Sequence, residues 1–505
     1  MRVQIEGSAA LDLGSGAATI RAMPDFAAVD LGAESGRVVR GRFDGERVTL
    51  DVAHRFDNRP VRLPDGLRWN LLGLLREIVV GLRGLDGPLA GVGVDTWGVD
   101  YALLDERGRV LGLPFHYRDS RTDGMVARAH ERVPRMELYE VTGIQTMPIN
   151  TIFQLLADGG SHALAGAARI ALVPDLISSW LSGELVNEVT NASTTGLLDA
   201  RSGTWAGALV ERLGLPAAPF EADPVEPGIT LGPLLDHHEV DAPLHVVASH
   251  DTASAYVAAP LRGSRAAVLS SGTWSLLGLE LDDPVLTAQA CEYNLTNERG
   301  VNGTIRLLRN VMGLWLVQEC ATRWTASYEE LAGLAAAARP DVPLFDPDDE
   351  GLLRPGDMPA RIADACAALG QEPPGERGEI VRSILTSLAC KYRLVLERLE
   401  AVTGRDVDVV HVIGGGVRTE LLCALTADVL GRPVLAGPVE ATALGNVVVQ
   451  ARAVGELGSL ADMRAVAAAS AEPTVFEPAA DRAAADATYE RFLAVTGQTA
   501  SEAVQ

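Results

Sequence analysis

The feature that most constrains the fold of this chain is a strand–turn–strand unit that occurs in each half of the sequence. The first unit is AAVDLGAESGRVVRGRF (27–43), and the second is RAAVLSSGTWSLLGLEL (265–281). In each, two apolar runs flank a turn of small residues, and strand and helix patterns alternate after it. Strands that alternate with helices favour α/β layers with parallel pairing. The sequence therefore predicts two α/β halves with a cleft between them.

The length of the chain agrees with this division, because 505 residues exceed what one hydrophobic core usually supports. We expect a flexible extension over 1–25, a first domain over 26–259, a second domain over 260–490 and a flexible tail over 491–505. Within these domains the apolar spacing predicts a helix over 70–83, with Asn70 as its N-cap, and a long helix over 378–403.

Charge and composition exclude several classes of partner. The chain has 43 Lys and Arg against 67 Asp and Glu, a net charge of −24, so we expect no nucleic-acid partner and no docking on anionic membranes. No window approaches 18 apolar residues, so no membrane span is predicted. Five scattered cysteines without C-x-x-C spacing are typical of reduced thiols in the cytoplasm. Monomer and homodimer both stay open.

The turn DLGAESGR (30–37) is suited to holding a phosphate. Its small residues let backbone N–H groups approach phosphate oxygens, Arg37 adds charge, and Asp30 offers a carboxylate for a hydrated Mg²⁺. An ordinary β-turn is the alternative, and for this motif alone it is the more common one. A second D-L-G sequence at Asp12 is followed by Pro24 rather than by a hairpin, so we interpret it as coincidental.

The segment VVASHDTASAYVAAP (246–260) delivers Asp251 to the junction between an apolar strand and a helix. An Asp at this place can accept a proton from a substrate hydroxyl. The alternative is a helix N-cap, the commonest role of an Asp before a helix. A Ser-His-Asp hydrolase is a further interpretation of this segment, but the members of such a triad rarely adjoin in sequence.

Other short motifs are open to two interpretations each. The turn SSGTWS places Thr273 where it can donate to a phosphate, and the glycines 414–416 suit a nucleotide lying against the backbone, but both are also ordinary tight turns. Two polar clusters suit recognition of a polyhydroxyl compound or form structural ion pairs. They are Asp95, Trp97 and Asp100 in DTWGVD, and Tyr117, Asp119 and Arg121 in YRDSRT.

The motifs occur together in a fixed order, from DLGAESGR through DTWGVD, YRDSRT, SHDTASA, SSGTWS and LLRNVMGLW to GGG. In this order the chain resembles the FGGY-type sugar kinases of the actin-like ATPase superfamily, over about residues 26–475. GVDTWGVD, ASHDTASA and LSSGTWSLLG are similar to the members that act on L-rhamnulose. The resemblance implies an α/β fold of two actin-like ATPase (ribonuclease H-like) domains with an active-site cleft between them.

The same resemblance implies a role for particular residues, with ATP and Mg²⁺ as cofactors. Asp251 would be the catalytic base that takes the proton of the 1-hydroxyl of L-rhamnulose, and the products would be L-rhamnulose 1-phosphate and ADP. The substrate-binding positions would be Gly98, His250, Thr252 and Asn310. The nucleotide-binding positions would be Ala33, Glu34, Ser35, Gly36, Arg37, Thr273, Gln318 and Gly415, and Asp30 would lie near the metal, acting through water.

Two positions depart from the family pattern and leave the nucleotide preference open. Glu34 stands where relatives often carry Ser or Thr, and Arg418 follows the glycines in place of a polar pair. Another ketose, such as L-fuculose or a ribulose, is the alternative substrate. A non-enzymatic actin-like sugar sensor is the remote alternative, since residues 1–25 offer no DNA-binding helix-turn-helix segment.

Overall fold

The computed structural model describes residues 23–261 and 263–499. Residues 1–22 of the predicted extension, including the D-L-G sequence at Asp12, lie outside the described residues. The described chain forms two α/β halves, and each is built on one large sheet.

The strands of the first half are β1 (Asp25–Leu31), β2 (Ser35–Phe43), β3 (Val48–Asp57), β4 (Val61–Leu63), β5 (Gly66–Arg68), β6 (Gly91–Thr96), β7 (Tyr101–Leu104), β8 (Arg169–Leu172), β9 (Thr230–Pro233) and β10 (Pro243–His245). Six of them form one sheet with the order β3-β2-β1-β6-β10-β9, in which β1 pairs antiparallel with β2 and parallel with β6, and β4-β5 and β7-β8 form two small sheets. The helices of the first half are α1 (Leu71–Arg83), α2 (Met125–Arg132), α3 (Arg135–Thr142), α4 (Thr151–Ala157), α5 (His162–Ala165), α6 (Val173–Ser182), α7 (Val189–Ala192), α8 (Gly207–Arg212) and α9 (Asp251–Ala258).

The second half repeats this plan in a seven-stranded sheet with the order β13-β14-β12-β11-β15-β16-β17, where β11 pairs antiparallel with β12 and parallel with β15. Its strands are β11 (Ala266–Ser271), β12 (Trp274–Leu281), β13 (Thr296–Arg299), β14 (Ile305–Met312), β15 (Val409–Ile413), β16 (Val434–Ala436) and β17 (Thr474–Phe476). Its helices are α10 (Ala288–Glu292), α11 (Trp315–Trp324), α12 (Tyr328–Ala337), α13 (Met358–Ala368), α14 (Arg377–Thr403), α15 (Glu420–Leu430), α16 (Ala441–Ala453), α17 (Leu460–Ser470) and α18 (Ala483–Thr496).

The elements with the clearest sequence signals lie where they were predicted. Helix α1 follows Asn70, whose side chain accepts a hydrogen bond from the Gly73 N–H and so caps the helix. The long helix predicted over 378–403 is α14. The tail predicted from residue 491 is wrong in its first part, because α18 continues to Thr496 and buries Phe492 in a small apolar cluster with Tyr489 and Leu344.

Two helices join the halves on one side of the molecule. Helix α16, from the second half, packs on α9 and on the first sheet, and the Gln450 side chain donates a hydrogen bond to the Ala27 carbonyl of β1. The approach of the helices requires a glycine, because a Cβ at Gly445 would lie 1.8 Å from the Ser254 backbone oxygen. The apolar core therefore continues across this side.

No helix among the described residues is long and apolar enough to cross a membrane.

Candidate active site

A cavity of about 330 Å³ lies between the two halves, and the turns of both hairpins line it. All but one of the predicted site residues line this cavity. They are Asp30, Ala33, Glu34, Ser35, Arg37, Gly98, His250, Asp251, Thr252, Thr273, Asn310, Gln318 and Gly415. Residues up to 385 positions apart in sequence therefore meet at one place.

The exception is Gly36, which lies in β2 and is buried away from the cavity. A Cβ at this position would lie 2.3 Å from the Phe56 ring and 2.7 Å from a Leu31 methyl carbon. Packing of the hairpin against Phe56 thus accounts for the glycine, and the expectation that Gly36 lines the nucleotide site is corrected.

The segment that carries Asp251 is held against β6 by a buried carboxylate. The Thr96 N–H donates to the Ser249 carbonyl at 2.9 Å. Glu188 has no exposed surface, and one of its oxygens accepts from both the N–H and the hydroxyl of Ser249, at 3.0 and 2.8 Å. Because Glu188 also caps α7 by accepting from the Thr190 and Asn191 N–H groups, it fixes two elements to each other next to the cavity.

Asp251 is the first residue of α9, and His250 occupies the N-cap position, so the capping interpretation of Asp251 is wrong. The Asp251 side chain is about one-third exposed (31%) toward the cavity. Its Oδ1 accepts from the Thr252 N–H at 2.5 Å and from the Thr252 hydroxyl at 3.0 Å, which leaves Oδ2 for a substrate. The hydrolase interpretation also fails, since the Ser249 hydroxyl donates to Glu188 rather than to His250.

Three carboxylates of the first half influence one another beside the cavity. Burial raises the pKa of Asp251, and the Asp30 carboxylate raises it further, while His250 and Thr252 act in the opposite direction. Asp95 pairs with Asp30 in the parallel β1–β6 register, and burial together with Asp30 raises its pKa well above the usual range. This environment disfavours the charged form of Asp251, so it is poised to take a proton.

The Arg37 guanidinium of the first hairpin pairs with two carboxylates, those of Asp30 and Glu440. Arg37 donates to Asp30 Oδ2 from Nε at 2.9 Å and from Nη2 at 2.6 Å, and its Nη1 lies 2.5 Å from Glu440 Oε2. Arg418 is mostly exposed and lies 3.5 Å from the other oxygen of Glu440. Arg37 therefore fixes the hairpin to the segment that precedes α16.

On the second half, two turns of small residues form the opposite wall. The Gln318 side chain donates to the Thr273 hydroxyl at 3.3 Å, which orients this hydroxyl in the β11–β12 turn. The glycines 414–416 follow β15; Gly414 has a φ of +87°, and a Cβ at Gly416 would lie 2.0 Å from the Ser271 hydroxyl oxygen. Only glycine allows the two turns to approach this closely.

Glu34, at the tip of the first hairpin, is exposed and lines the cavity. Partial burial and the neighbouring Glu319 raise its pKa, and the nearby guanidinium groups of Arg118 and Arg59 oppose this shift. These cations moderate the repulsion that a carboxylate at this position would exert on a triphosphate.

At the other end of the cavity, Gly98 and Asn310 are held by residues from distant segments. A Cβ at Gly98 would lie 2.9 Å from the Thr194 hydroxyl, which also accepts from the Val99 N–H. The Asn310 N–H and side-chain amide both donate to the Gln145 side-chain oxygen, at 2.9 and 3.2 Å. Gln145 belongs to the first half, so this contact joins the halves beside the cavity.

Three residues proposed for polyhydroxyl recognition have structural roles instead. Asp100 accepts from the indole N–H groups of Trp69 and Trp97, at 2.5 and 3.0 Å, and burial raises its pKa to about 6. Asp119 accepts from the Leu67 and Arg121 N–H groups, and Arg121 pairs with Asp158 at 2.6 Å. Of the two clusters, only Trp97 and Tyr117 line the cavity.

Sequence reasoning missed several cavity residues, among them Gln145, Thr194, Trp274 and Glu298. Glu298 lies in the short strand TNER, in which every residue is polar or charged. By its sequence this strand resembles an exposed edge strand, so the burial of Glu298 could not be predicted. Trp274 begins β12 within the SSGTWS motif, and Thr194 lies in a short helical turn, but neither residue type by itself indicated a site.

Comparison with known proteins agrees with this geometry. The model of the FGGY family of carbohydrate kinases, N-terminal domain, matches residues 85–223, and that of the C-terminal domain matches residues 267–454. A rhamnulokinase of Bacteroides thetaiotaomicron is 42% identical over 479 residues, which cover 93% of this chain and 98% of that protein. The chain belongs to the FGGY family of carbohydrate kinases. The sequence-based assignment to this family and the prediction of an enzyme are thus confirmed.

The chain is also similar to a second rhamnulokinase and to a solved sugar-kinase structure. A rhamnulokinase of Pectobacterium atrosepticum is 42% identical over 451 residues, covering 88% of this chain and 91% of that protein. A gluconate kinase structure from Lactobacillus acidophilus superimposes with a TM-score of 0.76 at 15% identity, covering 94% of this chain and 97% of that one. At this identity the superposition establishes the fold alone, which is the predicted two-domain actin-like (ribonuclease H-like) ATPase fold.

Proposed function

We propose that this kinase transfers the γ-phosphoryl group of ATP to the 1-hydroxyl of L-rhamnulose and releases L-rhamnulose 1-phosphate and ADP. The observation that carries the proposal is Asp251, a carboxylate with a raised pKa at the first position of α9, one oxygen of which is left open to the cavity. The names of the similar curated proteins supply the sugar.

In the proposed reaction Asp251 acts as the general base. Its Oδ2 takes the proton of the 1-hydroxyl as that oxygen bonds to the γ-phosphorus, and the bond between this phosphorus and the bridging oxygen of ADP breaks. The sugar would contact Gly98, His250, Thr252 and Asn310. Because phosphoryl transfer depends mostly on positioning and charge neutralisation, one base and well-placed donors suffice.

The nucleotide would lie between the facing turns. Ala33, Ser35 and Arg37 of the first hairpin would approach the phosphates, with Glu34 kept from them by its own cationic neighbours. Thr273, Gln318 and Gly415 would contact the nucleotide from the second half. The sugar and nucleotide sites would then each draw residues from both the 26–259 and the 260–490 domains, so closure of the cleft would assemble them together.

The residues beside the phosphates fit a Mg²⁺ ion bound through water. Both hydrogen bonds from Arg37 go to Oδ2 of Asp30, so Oδ1 is left for a hydrated cation, the arrangement that Mg²⁺ prefers. Bound Mg²⁺ would neutralise charge on the phosphates. We further propose that the reaction takes place in the cytoplasm, where the five buried, free cysteines would stay reduced.

A coupled ADP-release assay tests the proposal over L-rhamnulose, L-fuculose, L-ribulose, D-ribulose, D-xylulose and glycerol, with NMR to locate the phosphate on the product. We expect the highest kcat/KM for L-rhamnulose and a 1-phosphate product. A clear preference for L-fuculose or a ribulose would replace the substrate, and no turnover with any of the six would refute the proposal.

A further inference from the structure

Glu298 is a buried carboxylate in the wall of the cavity to which neither the sequence nor the family resemblance assigns a role. It lies in β13, opposite Arg306 of β14, and only 4% of its surface is exposed. The small exposed part belongs to the cavity, which Glu298 lines together with His250 and Asn310. A charged residue this deep usually pairs with other charges or binds a ligand.

Both ion-pair contacts of Glu298 involve its Oε2 atom. Oε2 lies 3.3 Å from Arg306 Nη1 and 3.4 Å from His250 Nδ1. Neither contact has hydrogen-bond geometry, and among the described residues Oε2 is a buried polar atom without a hydrogen-bond partner. Arg306 is fully buried and lies 3.2 Å from His250 Nδ1. Glu298 therefore belongs to a buried polar cluster with Arg306 and His250, and His250 is a proposed sugar ligand.

The electrostatics keep this carboxylate ionised. Burial acts to raise the pKa of Glu298, but Arg306, His250 and the Asn310 side chain together hold it below the usual value. An ionised carboxylate is a strong acceptor and cannot donate, so its natural complement in the cavity is a hydroxyl. A hydroxyl donor would also complete the hydrogen bonding of this carboxylate, since Oε2 has no hydrogen-bond partner among the described residues.

We propose that Glu298 is a substrate-binding residue that accepts a hydrogen bond from a ketose hydroxyl other than the one that is phosphorylated, and that it determines which ketoses the kinase selects. This inference rests on the proposed function, since it places the sugar beside His250 and Asn310. A site that is built to hydrogen-bond a hydroxyl rejects an analogue without it, because the buried acceptor is then left unpaired.

The test is a cycle of enzyme and substrate changes measured as kcat/KM. The substrates are L-rhamnulose and its analogues that lack the 3-, 4- or 5-hydroxyl, and the enzymes are wild type and Glu298→Gln. We expect one analogue to lose roughly 10- to 100-fold with wild type, the range for one hydrogen bond to a charged group. With L-rhamnulose, Glu298→Gln should have a kcat/KM lower than wild type by a similar factor, mainly through a higher KM. With that one analogue, the kcat/KM of Glu298→Gln should equal that of wild type.

The matched control is Glu280→Gln. Glu280 lies in β12, on the other side of Arg306 in the same sheet, and pairs with Arg464 at 2.7 Å, but it does not line the cavity. This variant also removes an ion pair near Arg306, so it measures the effect of disturbing the sheet. For every analogue, Glu280→Gln should show the same loss of kcat/KM relative to L-rhamnulose as wild type.

The inference is overturned if Glu298→Gln keeps the full penalty for all three analogues, because its effect would then be structural. It is equally overturned if the variant matches wild type on L-rhamnulose. If Glu298→Gln does not fold, the same cycle is run with Glu298→Asp, which keeps the charge beside Arg306 but withdraws the oxygen by one methylene. If wild type prefers another ketose, the cycle uses that ketose, so the substrate proposal and this inference fail separately.

Discussion

The substitution Asp251→Asn removes the proposed base with little change in shape. In wild type the Thr252 N–H and hydroxyl hold Oδ1, and the amide oxygen of Asn can accept the same two hydrogen bonds. The amide nitrogen then takes the place of Oδ2 in the cavity and cannot accept a proton. We therefore expect the variant to fold like wild type and to lose the proton-transfer step.

The size of the loss follows from the chemistry that is removed. General-base catalysis contributes about 10²- to 10⁴-fold, so kcat should fall by that factor, about 3–5 kcal/mol of transition-state stabilisation. ATP affinity should not weaken, because the change also removes a negative charge that Asp30 and Asp95 already repel.

The assay is ADP release under saturating sugar and ATP, together with calorimetric titration of ATP and a thermal melt. Asp236→Asn is the control, since Asp236 is an exposed residue that begins a short helical turn on the surface. A kcat for Asp251→Asn within threefold of wild type would refute the role of base. Loss of ATP binding or of the folded state would refute the argument that the shape is kept.

Two further predictions concern stability. Gly416→Ala should lower the free energy of unfolding by about 1–3 kcal/mol, since its Cβ would overlap the buried Ser271, whereas Gly415→Ala, with no atom within 4 Å of its Cβ, should melt like wild type; equal melting of both variants would contradict this. The pKa of Asp100 is raised to about 6 in the folded state, so the folded state binds the proton more tightly than the unfolded state. The free energy of unfolding should therefore decline as the pH rises from about 4 to 6, by at most ~3 kcal/mol. Urea unfolding should show a flatter pH dependence for Asp100→Asn in this range, and an unchanged slope would show that another group is responsible.

The local patterns of the sequence predicted the parts of the site that local chemistry governs. The two hairpins, the Asn70 cap and the placement of Asp251 at the start of a helix depend on periodicity and turn chemistry within a few residues. The order of these motifs along the chain then identified the family. Such features can be predicted because their physical causes lie within the segments themselves.

The partners of the polar side chains could not be predicted in this way. Asp100, Asp119 and Arg121 had the composition of a sugar site, but packing places Asp100 beside two indole N–H groups and turns Asp119 toward backbone N–H groups. Conversely, Glu188 carried no signal, although it fixes the segment that leads to Asp251. The sequence neighbours of a carboxylate do not determine whether it will bind a ligand or accept a structural hydrogen bond.

What the sequence by itself determined is the plan of two α/β halves, each with a turn of small residues at the mouth of a cleft. What only the tertiary structure decided is which charges share that cleft. Asp95 meets Asn446 across 351 positions, and Glu298 meets His250 and Arg306 through the packing of β13 on β14 beside α9. The physical reason is that electrostatic interactions depend on distance and burial in space, and a chain fixes neither until its sheets and helices have packed.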